Sequence, residues 1–348
     1  MRVITSLPAE DWKKVPDAAR QAEAVGFDGV STSELAHDPF MPLALAANAT
    51  ENARLVTSIA LAFPRSPTIT AYMAWDLQAN SGGRFELGLG TQVKGHNERR
   101  FSVPWTSPVP RLREYVQAMR AVWRSWETGE KLSFEGEHYN LSLMTPEFSP
   151  KPTGLPMVPV TLAAVGPDML RMAGRIADGV RLHGFCTRKY MENVCLARIN
   201  EGLEKAGRKR ENIEISGGGF IATGKDEEEV RKMMDWARYR VAFYGSTRTY
   251  HPVFAQHGLE DLGMKLHHMV KDGKWNEIAG EVSDDVVRLF AAIGTYDEIA
   301  GEIEQRYGNA ADAIRLNFPD DAPAGLQREI VQDIRKIPSP FRGFAPHN

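Results

Sequence analysis

Short apolar runs alternate with longer amphipathic stretches over most of the chain. The runs have the length of strands and are rich in β-branched residues, whereas the longer stretches repeat apolar residues three and four positions apart, which is typical of helices packed on one face. The runs predict strands at residues 2–7, 28–33, 54–63, 84–89, 160–164, 180–182, 213–223 and 313–318. The amphipathic stretches predict helices at residues 12–25, 43–50, 67–79, 111–126, 168–176, 188–205, 227–243, 283–292, 296–307 and 326–334.

Strands that alternate with helices in this way imply an α/β fold with a parallel sheet, and eight strand–helix units favour a (β/α)8 TIM barrel. A doubly wound sheet is the alternative, but it usually carries a glycine fingerprint after its first strand. Leu7-Pro8-Ala9-Glu10 stands at that place here, and the pair Gly88 and Gly90 begins such a fingerprint without completing it. The pattern therefore favours the barrel.

Two segments interrupt the alternation. Residues 129–156 are rich in turn residues and contain a hairpin-like stretch, and residues 244–282 are rich in His and Gly and are predicted to be irregular. We therefore expect a single domain spanning 1–348, in which these two segments are insertions.

Composition excludes several classes of partner. The 348 residues are 43% apolar and carry a net charge of −3, which gives no electrostatic reason to expect nucleic acid or an anionic membrane. No apolar run approaches the roughly 18–20 residues that span a bilayer, and the N-terminus lacks the layout of a signal peptide. Cys186 and Cys195 are the only cysteines and form no CxxC motif. We expect a cytoplasmic protein that binds a small molecule and no metal.

Active sites of such barrels lie at the C-terminal ends of the strands. The second strand is followed by Glu34, His37 and Asp38. A histidine flanked by carboxylates suits general acid–base chemistry near neutral pH. The alternative is that His37 only caps the helix that follows.

Polar residues and glycines recur at the other strand ends. The third strand contains Thr57-Ser58-Ile59, and Gln92 follows the fourth. His183 and Gly184 follow the sixth strand, and glycines occupy 217–219 in the seventh. Together they predict a broad, flat ligand across the barrel mouth.

The turn after the fifth strand is the plainest single motif. Gly166 and Pro167 separate the strand 160–164 from the next helix. Glycine permits close approach of a ligand to the backbone, and free N–H groups at a helix start attract phosphate. A βα turn that merely needs a glycine is the alternative.

These motifs resemble the luciferase-like flavin superfamily and, within it, the mycobacterial-type oxidoreductases that use the deazaflavin F420. The resemblance is carried by GFDGVSTSE at 26–34, LVTSIALAF at 55–63, SGGRFELGLGTQ at 81–92, and AAVGP with AGRIADGV between 163 and 180. It spans residues 1 to about 318.

The resemblance implies a cofactor site made of Thr57, Ser58, Ile59, Gln92, Ala164, Val165, Gly166, His183 and Gly184. The Ser58–Ile59 peptide would be cis behind the deazaflavin ring, and the N–H groups of 164–166 would bind the cofactor phosphate. The family usually carries Asp-His in the loop after strand two, where this chain has Glu34 and Leu35. His37, assisted by Glu34, is therefore the expected acid/base, with His183 as its rival.

The implied function is hydride transfer between C5 of F420 and a small organic substrate, which could be an alcohol or carbonyl, an enone or a tetrahydropterin-type carrier. The family also implies a homodimer. An FMN-dependent monooxygenase of the same fold is the first alternative. A cofactor-binding protein without turnover is the second, because Leu35 replaces the usual histidine.

Overall fold

The computed structural model describes residues 1–319 and 321–345. Its strands are β1 (Arg2–Ser6), β2 (Gly29–Thr32), β3 (Arg54–Thr57), β4 (Ala60–Leu61), β5 (Phe85–Gly90), β6 (Phe134–Glu135), β7 (Asn140–Leu141), β8 (Val160–Ala164), β9 (Gly179–Leu182), β10 (Glu214–Ser216), β11 (Phe220–Gly224), β12 (Ala291–Thr295) and β13 (Ala313–Arg315). Its helices are α1 (Val15–Val25), α2 (Met41–Ala49), α3 (Pro67–Asn80), α4 (Lys94–Arg100), α5 (Pro108–Thr128), α6 (Pro167–Ile176), α7 (Arg188–Tyr190), α8 (Ala197–Lys205), α9 (Glu227–Gly245), α10 (His251–Ala255), α11 (Glu260–Lys271), α12 (Asp284–Phe290), α13 (Ile299–Tyr307) and α14 (Ala324–Lys336).

The predicted barrel is confirmed. The sheet runs in the order β3-β2-β1-β13-β10-β9-β8-β5-β4, and pairing of β3 with β5 closes it. β3 and β4 are two parts of one strand. Eight parallel strands, called staves below, therefore surround the barrel axis. Because all staves run the same way, their C-terminal ends meet at one end of the barrel, the mouth.

Strand alternation divides the core into an outer apolar layer and a charged interior. Val3, Val30 and Leu55 point outward and are fully buried beneath the helices. α5 contributes the large buried side chains Tyr115 and Trp123 to the same layer.

The charged interior is an ion-pair network at the N-terminal ends of the strands. Arg2 lies 2.6 Å from Glu86 and 2.5 Å from Glu214, and Arg54 lies 2.8 Å from Glu86. Arg181 lies on the mouth side of Glu86, at a distance of 3.7 Å. Burial opposes ionisation of Glu86, but the arginines outweigh it and hold the pKa of its carboxyl below the ordinary value.

The C-terminal segment covers this network from outside. The rings of Phe341 and Phe344 lie 6.0 Å and 5.5 Å from the guanidinium carbons of Arg2 and Arg54. These are cation–π distances, so the segment shields the network.

Three of the predicted elements are wrong. The stretch 213–223 is not one strand, because a turn with φ of 121° at Gly219 separates β10 in the barrel from β11 outside it. β11 pairs in parallel with β12. The sequence pattern placed the first two residues of β12 at the end of the predicted helix 283–292 and the other three in the connection to the next helix. Residues 244–282 are also more regular than expected, since they include α10 and α11.

The segment 129–156 contains the antiparallel hairpin β6–β7, as its sequence predicts. Within the described ranges, no helix combines the length and apolarity needed to cross a membrane.

Candidate active site

The third stave is interrupted at the mouth by a bulge at residues 57–59. The Ser58–Ile59 peptide is cis, as predicted. The hydroxyl of Thr57 accepts a hydrogen bond from Gly88 N at 2.8 Å and donates one to Gly88 O at 2.9 Å. It thereby bridges β3 and β5 where their backbones separate.

The bulge explains the glycines of β5. A Cβ on Gly88 would overlap the carbonyl oxygen of Thr57, and one on Gly90 would come within 2.7 Å of the Ile59 side chain. The glycines therefore make room for the bulge. A cofactor contact by Thr57, Ser58 or Ile59 stays a prediction, and the Thr57 side chain is fully buried.

Beyond β2, both carboxylates of the predicted acid/base loop pair with an arginine instead of the histidine. Arg65 donates to both oxygens of Glu34, at 2.9 and 2.7 Å, and to Asp38 at 3.2 Å. Glu34 also accepts from the backbone N–H of Leu61 at 2.7 Å. His37 is exposed on the same loop. Arg65 thus fixes the loop that presents His37.

After β5 the backbone turns sharply at Gln92. Its φ of 57° lies in the left-handed region, which is uncommon for a residue with a side chain. Its side-chain oxygen accepts a hydrogen bond from Val93 N at 2.9 Å, which helps to hold the turn. The amide NH2 of Gln92 is the part that a ligand could use.

The turn after β8 has the donors that a phosphate would need. Gly166 is the N-cap of α6, without a side-chain cap, and is exposed. Within the described residues, the N–H groups of Val165 and Gly166 donate to no other backbone group. The carboxylate of Asp168 is held by Arg171 at 2.7 Å.

The glycine at this turn is not required by the protein itself. A Cβ on Gly166 would meet no atom within 4 Å, and its φ of −81° is open to any residue. The protein's own atoms therefore neither block a Cβ at this position nor make the βα turn itself need a glycine. Any requirement for glycine here would come from a ligand.

His183 is packed among aromatic rings behind the mouth. Its ring stacks on Tyr250 at 4.7 Å and meets Tyr244 edge-on at 4.5 Å. Nδ1 accepts from Phe185 N at 3.0 Å, and Nε2 lies 3.3 Å from the Tyr250 hydroxyl. Burial lowers the pKa of His183 to about 4, so the ring is neutral near pH 7.

A cavity of about 600 Å³ opens at the mouth, within the size range of small-molecule sites. The ends of β9, β10 and β13 and one face of α9 form most of its wall. Of the predicted site residues, Ser58 and Gly184 line it. The other predicted residues lie on strands or loops of the same end.

Sequence reasoning missed several cavity residues, among them the two arginines Arg181 and Arg315. Both are charged residues inside otherwise apolar strands, GVRL and AIRLNF. A charge at an interior strand position usually means a partner or a ligand, and that signal was available in the sequence.

Comparisons with known proteins agree with this architecture. The chain is 44% identical, over 301 residues, to an uncharacterized protein of Mycobacterium tuberculosis, covering 86% of this chain and 88% of the relative. It is 27% identical over 311 residues to 5,10-methylenetetrahydromethanopterin reductase of Archaeoglobus fulgidus, covering 87% and 88%. Its fold matches the coenzyme F420 dependent tetrahydromethanopterin reductase of Methanopyrus kandleri with a TM-score of 0.75, at 21% identity and 97% coverage of both chains.

The model of one family, described as luciferase-like monooxygenase, matches residues 2–313. The match includes seven of the eight staves, the first residue of β13, the bulge in the third stave and the turn after β8. The chain therefore belongs to the luciferase-like monooxygenase family.

Proposed function

We propose that this protein is an F420-dependent oxidoreductase that transfers a hydride between the deazaflavin and a small organic substrate. The observation that carries the proposal is the turn after β8. Its unpaired backbone donors, with open space at Gly166, lie at the same barrel end as the bulge at Ser58–Ile59. The similarity to a methylenetetrahydromethanopterin reductase over most of the chain supports it.

The residues present fit such a cofactor. The N–H groups of Val165 and Gly166 would hold its phosphate, as unpaired donors at a helix start do. The bulge would support the ring, and the amide of Gln92 would contact its edge. When bound, F420 supplies hydride transfer at C5 of its ring.

The remaining chemistry belongs to the protein. Hydride transfer to or from a C–O bond changes the charge on oxygen, so a proton must move with it. His37 would exchange that proton, on a loop fixed by the Arg65 pairs with Glu34 and Asp38. The apolar part of the cavity wall, which includes Phe220, Met233 and Trp236, would exclude water. The substrate could be an alcohol or carbonyl, an enone or a tetrahydropterin-type carrier.

An FMN-dependent monooxygenase is the second candidate, and the family description favours it. Cofactor identity separates the two, because reduced FMN reacts with oxygen whereas reduced deazaflavin essentially does not. A protein that binds F420 without turnover is the third.

The test is a titration of purified protein with F420 and with FMN, followed by fluorescence. We expect saturable binding of F420. Under nitrogen, its visible absorbance should fall when 2-propanol is added to the oxidised cofactor, or return when 2-cyclohexen-1-one or a methylene-tetrahydropterin is added to the reduced cofactor. Binding of FMN alone, with oxygen consumed on reduction, would replace the proposal by the monooxygenase. F420 binding with no redox change for any substrate class would favour the binding protein.

A further inference from the structure

One cation in the mouth cavity has no counter-ion among the residues that the structure describes. Arg315, the last residue of β13, lines the cavity. Arg315 is paired with Ile4, and Ala313 is paired with Arg2, two residues earlier on each strand. Residues two apart on a strand point to the same face. The Arg315 side chain therefore points into the barrel, as that of Arg2 does. Within the described residues its guanidinium forms no hydrogen bond or ion pair.

Arg181, the neighbouring arginine of the cavity, has hydrogen-bond and charge partners that Arg315 lacks among the described residues. Arg181 donates to the Thr161 hydroxyl at 2.9 Å and faces Glu86. Arg315 keeps accessible surface because it faces the cavity, yet the protein around it removes much of its hydration. This desolvation, together with the charge of Arg181, lowers the pKa of Arg315. A desolvated cation without a partner is costly unless a ligand supplies the anion.

The rest of the lining does not supply that anion. Glu229 is the one carboxylate among the described residues that line the cavity, and Lys225 holds it at 2.7 Å. Asn317, two residues beyond Arg315, has its side-chain oxygen fixed by Ser6 N at 2.9 Å. Its NH2 group is therefore available as a second donor in the cavity lining.

α9 gives the cavity an apolar and aromatic patch beside two charged residues, Glu229 and Lys232, of which Lys232 pairs with Glu228 at 2.7 Å. Met233 and Trp236 form this patch and remain 36% and 44% exposed. Trp236 meets the Phe220 ring edge-on at a centroid distance of 5.6 Å. Exposed side chains of this kind at a cavity are typical of a surface that binds an apolar ligand.

We propose that the cavity selects substrates that join one anionic group, a carboxylate or a phosphate, to an apolar or aromatic body. Arg315 and Asn317 bind the anion, while Phe220, Met233 and Trp236 contact the body. This inference rests on the proposed function, of which it names the substrate class. The same anion chemistry could also come from the phosphate-bearing tail of F420, and the experiment separates the two sources.

The test uses 4-phenylbutyrate and its neutral isostere 4-phenylbutanamide as probes, titrated calorimetrically into F420-loaded protein. A charge-assisted contact predicts that the carboxylate binds about tenfold or more tightly than the amide. Arg315→Gln should remove this preference, and Arg315→Lys should keep part of it. Arg113→Gln is the matched control, because Arg113 is an exposed arginine on α5 and its replacement should change nothing.

Two results would overturn the inference. One is equal binding of the two probes, or a preference that survives Arg315→Gln. The other is a loss of F420 affinity in Arg315→Gln as large as the loss for the carboxylate, which would assign the anion to the cofactor. If F420 does not bind at all, the proposed function fails, and the same titration of cofactor-free protein still decides whether Arg315 selects anions. Circular dichroism of each variant verifies folding.

Discussion

At the scale of single residues, Arg65 decides how the loop after β2 is built. The sequence predicts that His37 is flanked by two helping carboxylates, but Glu34 and Asp38 are both bound to Arg65. The carboxylates could have paired with either His37 or Arg65. The guanidinium has several N–H donors, so Arg65 bonds Glu34 through one Nη and Asp38 through the other. Arg65 follows Glu34 by 31 positions, so periodicity could not reveal the pair.

We predict that His37→Asn lowers turnover at least about tenfold, because general acid–base assistance is typically worth 10²–10⁴-fold. Asn keeps much of the size and hydrogen bonding of His but exchanges no proton. F420 affinity should stay unchanged, since the phosphate turn is on another stave. Steady-state rates and fluorescence titration of the variant check both.

His183→Asn is the matched control. If His183 handled the proton, the pH–rate profile would inflect near its lowered pKa of about 4. The rate would then fall in His183→Asn and survive in His37→Asn, which would contradict our assignment.

At the scale of elements, the turn between β8 and α6 offers a clean test of cofactor binding. Because a Cβ on Gly166 meets no protein atom, Gly166→Val should fold normally. The side chain should instead block a bound phosphate and weaken F420 binding by about 2 kcal/mol, more than one ordinary hydrogen bond. A fluorescence titration measures the loss.

Gly280→Val is the control for that variant, since a Cβ at Gly280 also meets no atom within 4 Å. It should bind F420 like the parent protein. Undiminished affinity in Gly166→Val would show that the turn holds no phosphate.

The sequence predicted helices and strands correctly where the segment with a regular apolar pattern was long or was bounded by glycine and proline. β8 was placed at its observed ends, and the helix beyond it within one residue. It failed at β12, because the five residues of this strand lie directly after α12 and show no alternation of their own. Its partner β11 is distant in sequence, and such pairing leaves no local signal.

At the scale of the whole molecule, the barrel was predictable because eight repeated units admit few arrangements. The distribution of charge inside it was not. Arg2, Arg54, Glu86, Arg181 and Glu214 come from five different staves, and only closure of the barrel brings them together.

This network yields a prediction about stability. Glu86→Gln should destabilise the protein by roughly 3–5 kcal/mol, because it removes one of the two carboxylates that balance Arg2, Arg54 and Arg181 and leaves Glu214 as the remaining carboxylate of the network. Urea unfolding measures the change. Glu192→Gln, which removes an exposed pair with Arg188 on one helix, should cost less than about 1 kcal/mol. Equal stability of the two variants would mean that the network contributes nothing.

The bulge in the third stave has a consequence for engineering. Between β3 and β5 a side-chain hydroxyl, that of Thr57, replaces a peptide group in the ladder. Continuity of this stave at the bulge therefore depends on one side chain, that of Thr57. Libraries that aim to change the specificity of the mouth should keep position 57 constant and place their diversity on α9 and the loops.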